Sequence, residues 1–119
     1  MIFAEDRSCT TQFELGQMFR KTESRIKDHS QAAEWFTRSA QQGYRKAQYK
    51  IGLMYARGLG VKSDPVRAYA WLKVAATQGS RRAMVYLKKL AEKMSPYQLE
   101  RAHILTKDYY RRFVVPYTT

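Results

Sequence analysis

The stretch Ala47-Gln48-Tyr49-Lys50-Ile51-Gly52-Leu53-Met54-Tyr55-Ala56-Arg57-Gly58-Leu59-Gly60-Val61 decides the fold. Within it Ala47, Ile51, Met54 and Tyr55 recur at i, i+4, i+7 and i+8, which places them on one helical face. Gly58 and Gly60 then interrupt the pattern, because glycine tolerates positive φ and weakens a helix. Asp64-Pro65 restarts it: an aspartate can cap the orphan backbone donors, and proline suits the first helical position, where no donor is needed. Ala68, Trp71, Leu72, Ala75 and Ala76 form the apolar stripe of a second helix, and Gly79 suits the position after its end. The unit is therefore a helical hairpin.

That hairpin has a copy upstream. Laying residues 12–47 over 48–83 pairs Gln12 with Gln48, Gly16 with Gly52, Met18 with Met54, Asp28 with Asp64, Ala32 with Ala68 and Trp35 with Trp71. Ala40, Gln42, Gly43, Arg45 and Ala47 likewise fall on identical residues, so eleven of the 36 aligned pairs match without a gap. Chance supplies about two, and a period between roughly 20 and 50 residues marks a solenoid. A third unit begins at Leu87 and Leu90 but carries Lys88 in place of glycine, as a terminal cap would. In the first unit the loop 21–27 has no glycine, and His29 stands where the second unit has Pro65.

Small residues at Gly52, Ala68, Ala75, Ala76 and Ala83 predict close approach of helices at their crossings, with Trp71 and Tyr55 filling the space around them. Ser95-Pro96-Tyr97-Gln98 is a further start signal: a serine cap, proline at the first position and glutamine three after the cap. The helix it opens shows Leu99, Ala102, Thr106, Tyr109 and Phe113 at spacings of three and four, and Pro116 stops it. This helix is expected to close the open end of the stack. The fold class read from these patterns is all-α, an α/α superhelical solenoid of antiparallel helix pairs with about six helices. Its expected organisation is an irregular segment 1–11, one domain 12–113 and a tail 114–119. The domain comprises repeats 12–47 and 48–83 and capping helices 84–113.

The string Ala47–Val61, followed by Asp64, Ala68, Trp71, Ala75-Ala76, Gln78-Gly79 and Ala83, resembles the Sel-one-like repeat, a relative of the tetratricopeptide repeats. The first unit matches at Leu15, Gly16, Met18, Asp28, Ala32, Trp35, Ala40 and Gly43 but lacks the glycine-rich loop. The resemblance covers about 72 residues, two periods of the repeat. It implies a non-enzymatic adaptor that binds proteins or peptides on a curved surface, often in bacterial assembly or signalling systems. Cysteine-rich members staple each repeat with a disulfide. With Cys9 as its single cysteine, this chain is not of that kind.

Composition adds charge. The 119 residues carry a formal net charge of +12 at a pI near 10.0. Residues 1–40 hold six basic and six acidic side chains, whereas 41–119 hold sixteen Lys or Arg against Asp64, Glu92, Glu100 and Asp108. The whole excess therefore lies in the second segment, which points to an acidic partner. A mean hydropathy of −0.60, with charges in every long apolar stretch, excludes a membrane span. Met1–Thr10 has no apolar run long enough for a secretory signal, so the cytoplasm is the default expectation, and the periplasm if the chain was trimmed at its N-terminus.

In tetratricopeptide relatives the first helix of each pair lines the concave face, around the small residue corresponding to Gly52. Offsets of −6, −3, +1, +4 and +5 from Gly52 give Lys46, Tyr49, Leu53, Ala56 and Arg57. The same offsets from Lys88 give Arg82, Val85, Lys89, Glu92 and Lys93, and from Gly16 they give Thr10, Phe13, Gln17, Arg20 and Lys21. Seven of these fifteen are basic and one is acidic, so the projected groove is basic. The candidate partner-binding residues are Arg20, Lys21, Lys46, Tyr49, Arg57, Arg82, Lys89 and Lys93. Tyr49 has the competing role of packing between helices, and the cations that of a solvated helix face.

Nucleic acid or another polyanion is the alternative partner, because Tyr109-Tyr110-Arg111-Arg112-Phe113 sets cations beside rings that could stack on bases. Tyr109 and Phe113 also fit the apolar stripe of the closing helix. Catalysis is the weakest class: His29 and His103 are isolated, no nucleophile and base recur at a usable spacing, and no cofactor motif is present. Gly58-Leu59-Gly60 follows a helix and not a strand, so it reads as a turn and not as a phosphate loop. Ile2 and Phe3 are available to cover the N-terminal end of the stack or to seal a dimer.

Overall fold

The computed structural model describes residues 8–21 and 26–117, with side chains for 8–18 and 29–117. Over these residues the chain forms six helices: α1 (Cys9–Lys21), α2 (Ile26–Gln41), α3 (Arg45–Arg57), α4 (Pro65–Thr77), α5 (Arg81–Glu92) and α6 (Pro96–Phe113). A short 3-10 turn, Val115–Tyr117, follows. The all-α solenoid expected from the repeat is what the structure shows: α1 packs on α2, α3 on α4, and α2 and α4 bridge to α3 and α5. The molecule measures 47 × 37 × 21 Å, and its thin dimension matches two layers of helices of about 10 Å each.

The crossings within each pair depend on glycine. A Cβ on Gly52 would lie 2.8 Å from Leu72 Cγ, and one on Gly16 2.7 Å from the Phe36 ring. Leu72 and Phe36 are also repeat equivalents, both fully buried. The turn between α3 and α4 has the predicted punctuation. Gly58 ends α3 at φ +70°, and Asp64 Oδ1 accepts from the N–H groups of Val66 and Arg67 at 3.1 Å each. Gly60, at φ +71°, sits directly against the backbone carbonyl of His29, so this loop docks on the first turn of α2 with no room for a side chain.

Three boundaries differ from expectation. α1 starts at Cys9, inside the segment read as irregular, because Ser8 Oγ accepts from Thr11 N–H at 3.5 Å and Ser8 carbonyl from Gln12 N–H at 3.0 Å. α2 starts at Ile26, inside the segment read as loop and ahead of the aspartate aligned with the Asp64 cap. With His29 in place of proline, nothing obliges the helix to begin there. At the other end Val114, assigned to the tail, is 1% exposed and belongs to the core, while Tyr117 packs beside Gly43.

The third pair is where the repeat breaks down. Ser95 and Gln98 form the predicted capping box that opens α6. α6, however, packs chiefly along α4. Trp71 of α4 lies 4.5 Å from the Tyr109 ring centroid and stacks on Phe113 at 5.3 Å and 22°. Tyr69 Oη and His103 Nε2 are 3.1 Å apart. α4 is consequently enclosed by α3, α5 and α6, with Ala68, Tyr69, Ala70, Trp71 and Leu72 buried in succession. A helix with so wide an apolar surface is stable only when its neighbours cover most of it, and Arg67 and Lys73 mark what stays exposed. Burial pushes the Tyr69 and Tyr109 hydroxyls above the ordinary tyrosine range.

The core has two parts along the stack. One joins Phe36, Ala47, Ile51 and Met54 to Trp71, Val74, Phe113 and Val114. The other joins Leu53, Tyr69, Leu72, Leu87, Met94 and Ala102. Met54 is 5% exposed because it packs in the first part, whereas Met18, at the same register in α1, is 64% exposed. Among the described residues, no helix pair precedes α1 to cover it.

Candidate partner-binding groove

Three helices and one turn surround a depression of about 430 Å³. α1 contributes Phe13 and Gln17, and α3 contributes Arg45, Lys46, Tyr49 and Lys50. The α4–α5 turn and the start of α5 add Gly79, Ser80, Arg81 and Arg82. Five of these ten residues are cations, and among the described residues no carboxylate lines the depression.

The aromatic side is held from behind. The Phe13 ring meets Phe36 at 5.5 Å and Tyr44 at 5.2 Å, edge-on to the latter. Tyr49 is half-buried, with the Lys50 ammonium 5.9 Å from its ring centroid. Opposite, Arg45 Nη1 donates to the Gln78 carbonyl at 3.1 Å and rests against the bare Cα of Gly79, where a Cβ would come within 3.2 Å of it. Gln78 is itself fixed: its Nε2 donates to Gln48 Oε1 at 2.7 Å and to the Gly43 carbonyl at 3.2 Å. Arg45 is thus tied to the hydrogen-bonded framework of the repeat.

Electrostatically the site is one-sided. Arg45 and Lys46 occupy the first turn of α3, Arg81 and Arg82 the first turn of α5, and neither turn contains an acid. A helix N-terminus carries about half a positive charge, so cations there oppose the dipole at a cost of about 0.3–1 kcal/mol each. The ion pairs Arg38–Glu34, Arg67–Asp64 and Arg112–Asp108 lie away from the depression.

Of the residues predicted from the sequence, Lys46, Tyr49 and Arg82 come together here. Arg57 does not: it lies about 16 Å along α3 from Lys46, its guanidinium 5.7 Å from the Tyr86 ring centroid. Lys89 and Lys93 are exposed at the far end of α5 and do not line the depression. The side chains of Arg20 and Lys21 fall outside the described residues. Leu53, at one of the counted offsets, is buried in the core. Arg45, Lys50 and Arg81 were missed by offset counting. The identity of Arg45 with Arg81 in the 36-residue register is the signal that could have found two of them.

The ring cluster considered for nucleic acid is divided. Tyr109 and Phe113 are engaged with Trp71, leaving Tyr110, Arg111 and Arg112 exposed. Among the described residues, no group of His, Cys, Asp and Glu is arranged to hold a metal ion, and no helix is long and apolar enough to cross a membrane.

Stacked helical hairpins with a shared framework of glycines and glutamines define a repeat-built interaction module. A protein-family model described as Sel1 repeat matches residues 11–44 and 45–80, and the chain belongs to that family. Its members generally serve as protein–protein interaction scaffolds. Among solved structures, the chain is similar to c5321, a protective antigen of uropathogenic Escherichia coli strains with an SLR fold. The identity is 30% at a TM-score of 0.87, over 96% of this chain and 25% of that one. A Sel1 repeat protein from Oxalobacter formigenes is 39% identical at a TM-score of 0.66, over 71% of this chain and 24% of that one. The chain thus spans about a quarter of the length of these structures. No curated protein matches it.

Proposed function

We propose that this Sel1-repeat module is a non-enzymatic adaptor whose groove across α1, α3 and α5 binds an acidic segment of a partner protein. The observation that carries this reading is the set of cations, Lys50 and the helix-start residues Arg45, Lys46, Arg81 and Arg82, around one depression with no carboxylate among the described residues that line it. Four of them occupy helix first turns, where they cost stability in the unbound protein. An incoming carboxylate relieves that repulsion and meets charge-assisted donors.

The reading is tested by cross-linked pull-down from the native cell at low and high salt, with the captured segment mapped. The expected result is an acidic protein segment joined to α3 or α5 and retained at high salt. Recovery of nucleic acid alone, lost as salt rises, would identify a nonspecific polyanion interaction instead.

A further inference from the structure

The groove lining combines aromatic rings with cations, and the combination specifies more than charge. Phe13 and Tyr49 lie at equivalent positions of successive repeats and are the aromatic members of the lining, Phe13 braced by Phe36 and Tyr44 and Tyr49 packed on the core around Leu72, Ala83 and Leu87. Arg45 and the Arg81-Arg82 pair supply cations to the same depression, with Arg45 held by the Gln78 carbonyl. In repeat register, Arg45 and Lys46 correspond to Cys9 and Thr10, and Lys50 to Glu14, so the cations of α3 have no basic counterpart in α1. The volume of about 430 Å³ falls in the range of roughly 300–1,000 Å³ that accepts a compact ligand. It is large enough for one aromatic side chain with its neighbours.

We infer that the groove reads a composite determinant: an aromatic side chain seated against Phe13 and Tyr49, with carboxylates one or two residues away facing Arg45, Arg81 and Arg82. This rests on the proposal that the groove takes an acidic protein segment, and it adds the second chemical requirement. A charged surface alone attracts any polyanion, and the attraction falls with salt. A ring packed against preorganised aromatic side chains keeps its contribution as salt rises and supplies the anchor typical of selective interfaces.

The test is selection of random heptapeptides displayed on phage against the full chain, at moderate salt. The expected outcome is enrichment of Asp or Glu with Phe, Tyr or Trp within two positions. Synthetic winners should bind about tenfold more weakly when the ring is replaced by alanine. Tyr49→Leu, which keeps an apolar side chain of similar reach, should cut that tenfold difference to about twofold, with the alanine peptide bound as before. Acidic winners without aromatic enrichment, or an undiminished aromatic preference in Tyr49→Leu, would overturn the composite determinant and leave the acidic-segment reading standing. Winners without acidic enrichment would overturn both.

Discussion

Gln78 Nε2 donates to Gln48 Oε1 at 2.7 Å, and one repeat earlier Gln42 Nε2 donates to Gln12 Oε1 at 2.8 Å. The two bonds are the same contact 36 residues apart, each tying the first helix of a hairpin to the turn that ends the second. Gln48 is fully buried, and its own Nε2 donates to the Ala40 carbonyl at 3.1 Å, which joins the second repeat to the first. Met84 and Val114 occupy the next pair of positions, so the ladder ends where the repeat does.

Replacing Gln48 by leucine keeps the volume but leaves the Ala40 carbonyl without its side-chain donor and removes the acceptor of Gln78. The Ala40 carbonyl keeps the Gly43 N–H and Gln78 keeps the Gly43 carbonyl, so the cost is that of two lost hydrogen bonds, about 1–3 kcal/mol together. Thermal unfolding of Gln48→Leu should therefore occur several degrees below that of the parent, and Gln48→Leu/Gln78→Leu should cost less than the two single changes summed. An unchanged Tm for Gln48→Leu would show that the ladder is dispensable.

Gly52→Ala should destabilise, although alanine in a helix is ordinarily favoured over glycine by about 1 kcal/mol. The added methyl would sit 2.8 Å from Leu72 Cγ, and crowding of a packed core costs about 1–3 kcal/mol. Urea unfolding monitored by circular dichroism measures the sign. A higher midpoint would mean that α3 and α4 can separate without loss.

Phe113→Ala removes the ring stacked on Trp71 and opens the joint between α4 and α6. Truncating a buried aromatic costs about 3–5 kcal/mol. In a Trp35→Phe background, Trp71 emission should shift to longer wavelength as water reaches the indole, together with the loss of stability. Unchanged emission would place α6 elsewhere.

Alkaline pH should loosen the same joint. Burial raises the Tyr109 hydroxyl above its ordinary value, so the folded state holds this proton more tightly than the unfolded chain does. Its contribution to stability is complete below the unfolded tyrosine pKa of about 10 and declines as pH rises through the higher folded value. Denaturant midpoints measured from neutral pH upwards should fall in that window, and less steeply for Tyr109→Phe. Equal slopes for the two proteins would contradict the assignment.

The hairpins were legible because the bounds of α3, α4 and α6 are written locally, by Gly58, Asp64-Pro65 and Ser95-Pro96, and because a 36-residue register fixes which positions meet. The placement of α6 was not. The stripe of Ala102, Tyr109 and Phe113 says which face is buried but not against which helix, and the apolar circumference of α4 that receives it also suits a helix enclosed by regular repeats. Of the groove, Lys46, Tyr49 and Arg82 could be projected from the repeat register. Arg45 enters it through a side chain that crosses to the next turn over Gly79, a path that counting along one helix does not trace.

The most direct test compares two double charge reversals of equal net change, Lys46→Glu/Arg82→Glu in the groove and Lys89→Glu/Lys93→Glu at the far end of α5. Affinity for an acidic peptide selected on the parent protein is measured by calorimetry, with helical content and melting as controls. The groove pair should lose about a hundredfold in affinity and the distant pair about two- to threefold, both with parental folds. Equal losses in the two variants would show attraction to net charge rather than a groove and would contradict the account.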